Sequence, residues 1–154
     1  MVTRPRGVVQ SLEKKGITAL FPIQKSVFDP AMAGQDLVAR ARTGSGKTLA
    51  FALPIIESIL KEDRESGGAR TRNPRALILA PTRELAKQVA GEMQSATDSR
   101  AVRVLTVYGG APIYTQIRQI QRGIDVLVGT PGRTIDLVEK RRCGFSQQLC
   151  ECCA

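Results

Sequence analysis

Eight residues carry the densest chemistry in the sequence: Ala41, Arg42, Thr43, Gly44, Ser45, Gly46, Lys47 and Thr48, set between the apolar run "QDLVAR" (35–40) and the longer run "LAFALPIIESIL" (49–60). A Gly-rich turn between a strand and a helix aims backbone N–H groups and a helix N-terminus at an anion. Gly44 and Gly46 let the backbone curl where a Cβ would collide. Lys47 can reach the β and γ oxygens of a nucleoside triphosphate, and Thr48 can offer its hydroxyl to Mg²⁺. The general pattern G-x-x-x-x-G-K-[ST] asks for Gly where this chain has Ala41, so the match is one residue short of strict.

Upstream, "GITALFPIQ" (16–24) ends in Gln24. A glutamine amide has one donor and one acceptor face, which pairs with the N6 donor and N7 acceptor of adenine and mismatches O6 of guanine. Gln24 would thus select ATP over GTP; standing alone, a glutamine in a turn reads as a solvated surface residue.

These residues need a scaffold. The runs "QDLVAR" (35–40), "RALILA" (75–80), "VRVLTV" (102–107) and "DVLVGT" (125–130) are short, apolar and rich in β-branched residues, as suits strands buried on both faces. Each precedes a helical pattern. Leu49, Leu53, Ile56 and Leu60 mark one helix face, with Pro54 expected to kink that helix or lie near its first turn. Thr82 is a candidate N-cap ahead of Leu85, Val89 and Met93; Ile113, Ile117 and Ile120 form another stripe, and Ile135 and Val138 begin a further turn. Strand and helix in alternation predict an α/β fold, a parallel sheet layered with helices. The polar stretch "KEDRESGGARTRNP" (61–74) reads as a surface loop inside one domain.

Composition narrows the partners. A chain of 154 residues is one ordinary domain, and no apolar run reaches the length of a membrane helix. A net charge of +9 without any histidine suggests an anionic partner, nucleic acid before a membrane surface. The N-terminus lacks the apolar core of a signal peptide, and all four cysteines, Cys143, Cys150, Cys152 and Cys153, lie near the C-terminus, which argues against a disulfide scaffold and suits a reducing compartment.

Taken in order, "GITALFPIQ", "ARTGSGKT" (41–48), "PTRELA" (81–86), "GG" (109–110) and "TPGR" (130–133) resemble the first RecA-like domain of DEAD-box ATP-dependent RNA helicases, over about residues 10 to 140. That family writes its phosphate loop A-x-T-G-x-G-K-T, so Ala41 is the residue it implies. The resemblance implies a RecA-like P-loop NTPase fold, ATP and Mg²⁺ as cofactors, and RNA as partner. It makes Gln24 the adenine reader, with Phe21, Pro22 and Ile23 around it, and assigns RNA backbone contacts to Thr82, Arg83, Gly110, Thr130, Pro131, Gly132 and Arg133. Those positions fall where strands hand over to helices, the edge at which parallel sheets bind ligands. Helix N-termini and arginines hold phosphates without reading bases, so RNA binding should be salt-sensitive and sequence-independent. The wording is closest to the plant organellar and nucleolar branch, which leaves chloroplast, mitochondrion or nucleolus as the expected compartment.

The chain also departs from that pattern. No apolar strand ends in Asp-Glu: Asp125 precedes its run and Asp136 lies in a helical stretch. Without those carboxylates, and without a second domain's arginines, metal positioning and transition-state stabilisation are incomplete. The expectation is a partial helicase ATP-binding domain over 1–140, followed by an atypical Cys-rich tail over 141–154 whose adjacent Cys152 and Cys153 close a zinc tetrahedron poorly. The family's aromatic residue before the Q motif corresponds to Gly7, which weakens adenine stacking. An incomplete sheet should also expose apolar edges and be sticky. Beside the helicase reading stand two alternatives: a non-catalytic nucleotide- and RNA-binding product, and a P-loop enzyme acting on small molecules, such as a kinase.

Overall fold

A computed structural model describes residues 8, 12–13, 16–67, 73–97, 101–139 and 150–153. Gly7 and Cys143 lie outside them. In chain order the elements are α1 (Pro22–Met32), α2 (Lys47–Glu65), β1 (Ala76–Leu79), α3 (Arg83–Ala96), β2 (Val104–Val107), α4 (Ile113–Gln121), β3 (Val126–Gly129), α5 (Pro131–Glu139) and β4 (Cys150–Cys153). The sheet is parallel throughout, in the order β2-β3-β1-β4. Leu127 sits at the centre of the register, opposite Leu77 on β1 and Leu105 on β2.

Strand periodicity divides the sheet into two buried faces. Ala76, Ile78, Ala80, Val126 and Val128 pack with Leu53, Ile56 and Ile59 of α2 and Val89 and Met93 of α3. Leu77 and Leu127 face the other way, joining Val107, Ile117 and Ile120 with Leu137 of α5. The result is helix layer, sheet, helix layer, because every strand has apolar residues at both odd and even positions.

At its lower edge, away from the strands' C-terminal ends, the sheet is clamped by charge. Asp125, fully buried, accepts from Arg75 Nη2 at 2.9 Å, from the Arg103 backbone N–H at 2.8 Å and from Arg103 Nε at 3.3 Å. Arg75 in turn donates to Asp63 at 2.7 Å and to the carbonyl of Ile59 at 3.3 Å. One carboxylate thus ties the starts of β1, β2 and β3 together, and Arg75 ties them to the C-terminal end of α2. Burial opposes ionisation of Asp125, but the Arg103 N–H and the two guanidiniums outweigh it and hold the carboxyl below its ordinary range.

Several expectations change. Gln35–Arg40 belongs to no helix or strand among the described residues; every residue is exposed, Val38 fully. β4 takes the place beside β1, so the phosphate-loop segment has no sheet neighbour there. Residues 61–65 belong to α2 rather than to a loop, since the helix runs on to Glu65. Pro54 lies inside that helix, where it withholds a hydrogen bond from the carbonyl four residues earlier. In α5 the buried residues are Thr134 and Leu137, while Ile135 and Val138 face outward.

Candidate functional site

The phosphate loop closes on itself. Gly44 (φ 80°) and Gly46 (φ 78°) both occupy the left-handed region, turning the chain sharply into α2. The Ser45 N–H donates to the Arg42 carbonyl at 3.2 Å, and Lys47 Nζ donates to the Ala41 carbonyl at 2.7 Å, bridging the loop from end to start. Lys47 is exposed and Thr48 half-buried in the first turn of α2. Gly46 is the N-cap and brings no side chain to that helix end. The first N–H groups of a helix have no intrahelical acceptor, and Ser45 Oγ is buried without a partner among the described residues. An uncapped helix start, that hydroxyl and an exposed ammonium together fit a polyphosphate.

Gln24 lies directly beneath this loop. It is 1% exposed; its Oε1 accepts from the Phe21 N–H at 2.9 Å and its Nε2 donates to the Gly46 carbonyl at 3.1 Å. A Cβ on Gly46 would collide with Gln24 Nε2 and come within 3.0 Å of the Phe21 ring. The glutamine therefore props the loop while keeping one lone pair and one N–H uncommitted in this network.

The remaining motif residues gather at the C-terminal ends of three adjacent strands. After β1, Thr82 caps α3, its Oγ1 accepting from the Leu85 N–H at 3.2 Å. Arg83 beside it is exposed and pairs with Glu84 at 2.7 Å, which lowers the pKa of that carboxyl. After β2 comes Gly110 (φ 84°), its Cβ position 3.8 Å from Arg83 Nη1. After β3, the Thr130 N–H donates to the Val107 carbonyl at 3.1 Å, and Pro131 and Gly132 open α5, exposed. Gly129 is required at this junction, because a Cβ there would collide with Thr134 Oγ1 and approach Val107 at 2.9 Å.

Arg133 behaves differently from its neighbours. Its side chain is 12% exposed, and Nη1 donates inward to the Ala111 carbonyl at 2.9 Å and to Gln116 Oε1 at 3.1 Å. Sequence reasoning missed Gln116, which is buried, and the buried hub at Asp125. Arg75, Arg103 and Asp125 each stand immediately ahead of their strand, a juxtaposition that appears only once the three strands lie side by side.

The phosphate loop faces the same edge. Since Arg75, just before β1, binds the C-terminal end of α2, the helix runs antiparallel to β1 and its Lys47 end lies toward the strands' C-termini. For Mg²⁺, Thr48 supplies a hydroxyl; no group of three or more metal-ligating side chains exists among the described residues.

A phosphate loop, a parallel sheet between helix layers and ligand residues along one strand edge define a RecA-like nucleotide-binding domain. The DEAD/DEAH box helicase family model matches residues 21–150, and the chain belongs to that family. It is 53% identical over 133 residues to DEAD-box ATP-dependent RNA helicase 53 of Oryza sativa subsp. japonica, covering 86% of this chain and 21% of that protein. It is 50% identical over 147 residues to the chloroplastic DEAD-box ATP-dependent RNA helicase 3A of Zea mays, covering 96% of this chain and 19% of the relative. The mitochondrial helicase 9 of Arabidopsis thaliana is 50% identical over 140 residues, 91% of this chain and 22% of that protein. Among solved structures, a DEAD box protein from Methanococcus jannaschii superposes with a TM-score of 0.77 at 33% identity, covering 93% of this chain and 37% of that one. The chain spans about a fifth of the length of these curated relatives.

Proposed function

We propose that the chain is the ATP- and RNA-binding portion of a DEAD-box RNA helicase, whose whole form couples ATP turnover to opening of RNA duplexes. The observation that carries this reading is the shared edge: the Lys47 end of α2, Thr82-Arg83, Gly110 and Thr130-Pro131-Gly132 all lie at the C-terminal side of one parallel sheet. Ala41 to Thr48 hold the phosphates, Lys47 moving from the Ala41 carbonyl to the β and γ oxygens, and Thr48 faces Mg²⁺. Gln24 offers adenine its remaining lone pair and N–H. Bound ATP supplies the phosphoanhydride whose cleavage drives the cycle of the intact protein. Thr82, Arg83, Gly110 and the opening of α5 grip the RNA sugar-phosphate backbone, with no base-reading group among them. The organellar relatives support a chloroplast or mitochondrial role, with the nucleolus as the third candidate.

A second reading applies to the chain by itself: binding without turnover. The residues following β1, β2 and β3 are Ala80-Pro81, Tyr108-Gly109 and Thr130-Pro131, none of them a carboxylate able to hold Mg²⁺ or orient water. The 154-residue protein should therefore bind a fluorescent ATP analogue with Mg²⁺, lose that binding in Lys47→Ala, and release negligible phosphate with or without RNA. RNA-stimulated release abolished by Lys47→Ala would refute the non-catalytic reading; equal analogue binding by wild type and Lys47→Ala would refute the nucleotide site itself.

A further inference from the structure

Arg133 was expected on the RNA surface, yet its guanidinium is turned into the protein. Nη1 bridges the Ala111 carbonyl (2.9 Å) and Gln116 Oε1 (3.1 Å). Gln116, 5% exposed, passes the connection on, its Nε2 donating to the Tyr108 carbonyl at 3.1 Å. The Tyr108 ring lies under Lys87 Nζ, 4.7 Å from its centroid, a cation–π contact to α3. Both carbonyls that flank Gly109-Gly110 are therefore held inward, one by each end of an Arg133–Gln116 pair reaching from α5 and α4. In a trans peptide the N–H opposes the C=O. Pinning the Tyr108 carbonyl inward thus aims the Gly109 N–H outward, at an exposed turn whose next residue has φ 84° and lies near Arg83.

We infer that Arg133 and Gln116 are positioning residues: they clasp the Gly109-Gly110 turn so that its backbone N–H meets an RNA phosphate, and neither touches RNA itself. The inference rests on the RNA-binding reading above and adds the device that shapes that surface. With its side chain 12% exposed, Nη1 committed to two internal acceptors and the buried Nε 3.6 Å from Asp136, Arg133 presents little of its guanidinium to solvent. A turn anchored at both carbonyls binds without first being ordered, so the clasp acts through preorganisation.

The salt dependence of RNA affinity separates positioning from contact. Each phosphate neutralised on a single strand contributes about 0.7 to the slope of log K against log salt. Fluorescence anisotropy of a labelled oligouridylate with the full 154-residue chain should show Arg133→Ala and Gln116→Met each weakening binding about tenfold, the scale of one lost buried hydrogen bond, with the slope unchanged. The double variant should bind no worse than the weaker single, since both break one clasp. The backbone amide resonances of Gly109 and Gly110 should shift and broaden in both variants while those of α3 stay in place. Arg83→Ala, by contrast, should lower the slope. A slope reduced by about 0.7 in Arg133→Ala, together with wild-type affinity in Gln116→Met, would make Arg133 a phosphate ligand and overturn the inference alone. Absence of salt-dependent RNA binding in the wild type would overturn the RNA reading and this inference with it. If Arg133→Ala does not fold, Gln116→Met decides: wild-type affinity and unshifted Gly109 and Gly110 amide resonances in that variant sink the clasp.

Discussion

Two buried polar side chains do opposite jobs. Gln24 supports the ligand loop through Gly46, whose φ of 78° and contact with Gln24 Nε2 leave no room for a methyl group. Gly46→Ala adds about 1–2 kcal/mol of left-handed strain and pushes the glutamine off the loop. Nucleotide affinity should fall about tenfold or more, read by titration with the fluorescent ATP analogue; unchanged affinity would show that Gln24 does not shape the loop. Asp125 serves stability. Its native pKa is lowered, so its contribution is complete above the ordinary carboxylate value of about 3.9 and is lost as pH falls through the native value. Asp125→Ala, which leaves the Arg103 N–H and Arg75 Nη2 without their shared acceptor while Arg75 keeps Asp63, should cost about 1–3 kcal/mol near neutral pH, while Asp125→Asn should flatten the acid limb of a denaturation series. An acid limb identical to wild type in Asp125→Asn would contradict the hub. Residue type and spacing pointed to the Gly-rich turn ahead of α2, whereas Gln24 was singled out by the ordered motifs and its burial beneath Gly46 was not foreseen. The Asp125 hub was not legible in the sequence, because its partners lie 22 and 50 residues away and meet only once three strands are side by side.

At the scale of elements, β1, β2 and β3 follow from their apolar runs, and the α3 cap follows from Thr82, since local pattern and tertiary packing agree there. Gln35–Arg40 shows where pattern fails. Its composition is that of a buried strand, but strand identity is decided by a neighbour, and the position beside β1 belongs to β4. Composition cannot report which edge is taken. The exposed Leu37 and Val38 then form an apolar segment, unpaired among the described residues, of the kind that recruits other strands. Leu37→Lys/Val38→Lys should shift the purified chain toward monomer in light scattering, with little change in melting temperature. Aggregation unaltered by the pair would place the sticky surface elsewhere. The exposure of Ile135 and Val138 has a related cause: with Leu77 and Leu79 of β1 they line an open apolar groove beside α5, while Thr134 and Leu137 are the buried residues of that helix.

For the whole molecule, charge and architecture point the same way. The chain carries a net charge of +9, and its strand edge presents exposed Arg83, an open helix start at Pro131-Gly132 and a glycine turn between them. Such a surface holds a phosphate backbone by counterion release and ignores base identity. The most direct test is anisotropy titration of labelled oligouridylate and oligoadenylate with the 154-residue chain over a range of salt, beside Arg83→Ala. Both RNAs should bind alike, affinity should fall steeply with salt, and Arg83→Ala should lower the slope by about 0.7. Binding that is insensitive to salt, or that depends on the base, would contradict an RNA-backbone surface on this edge.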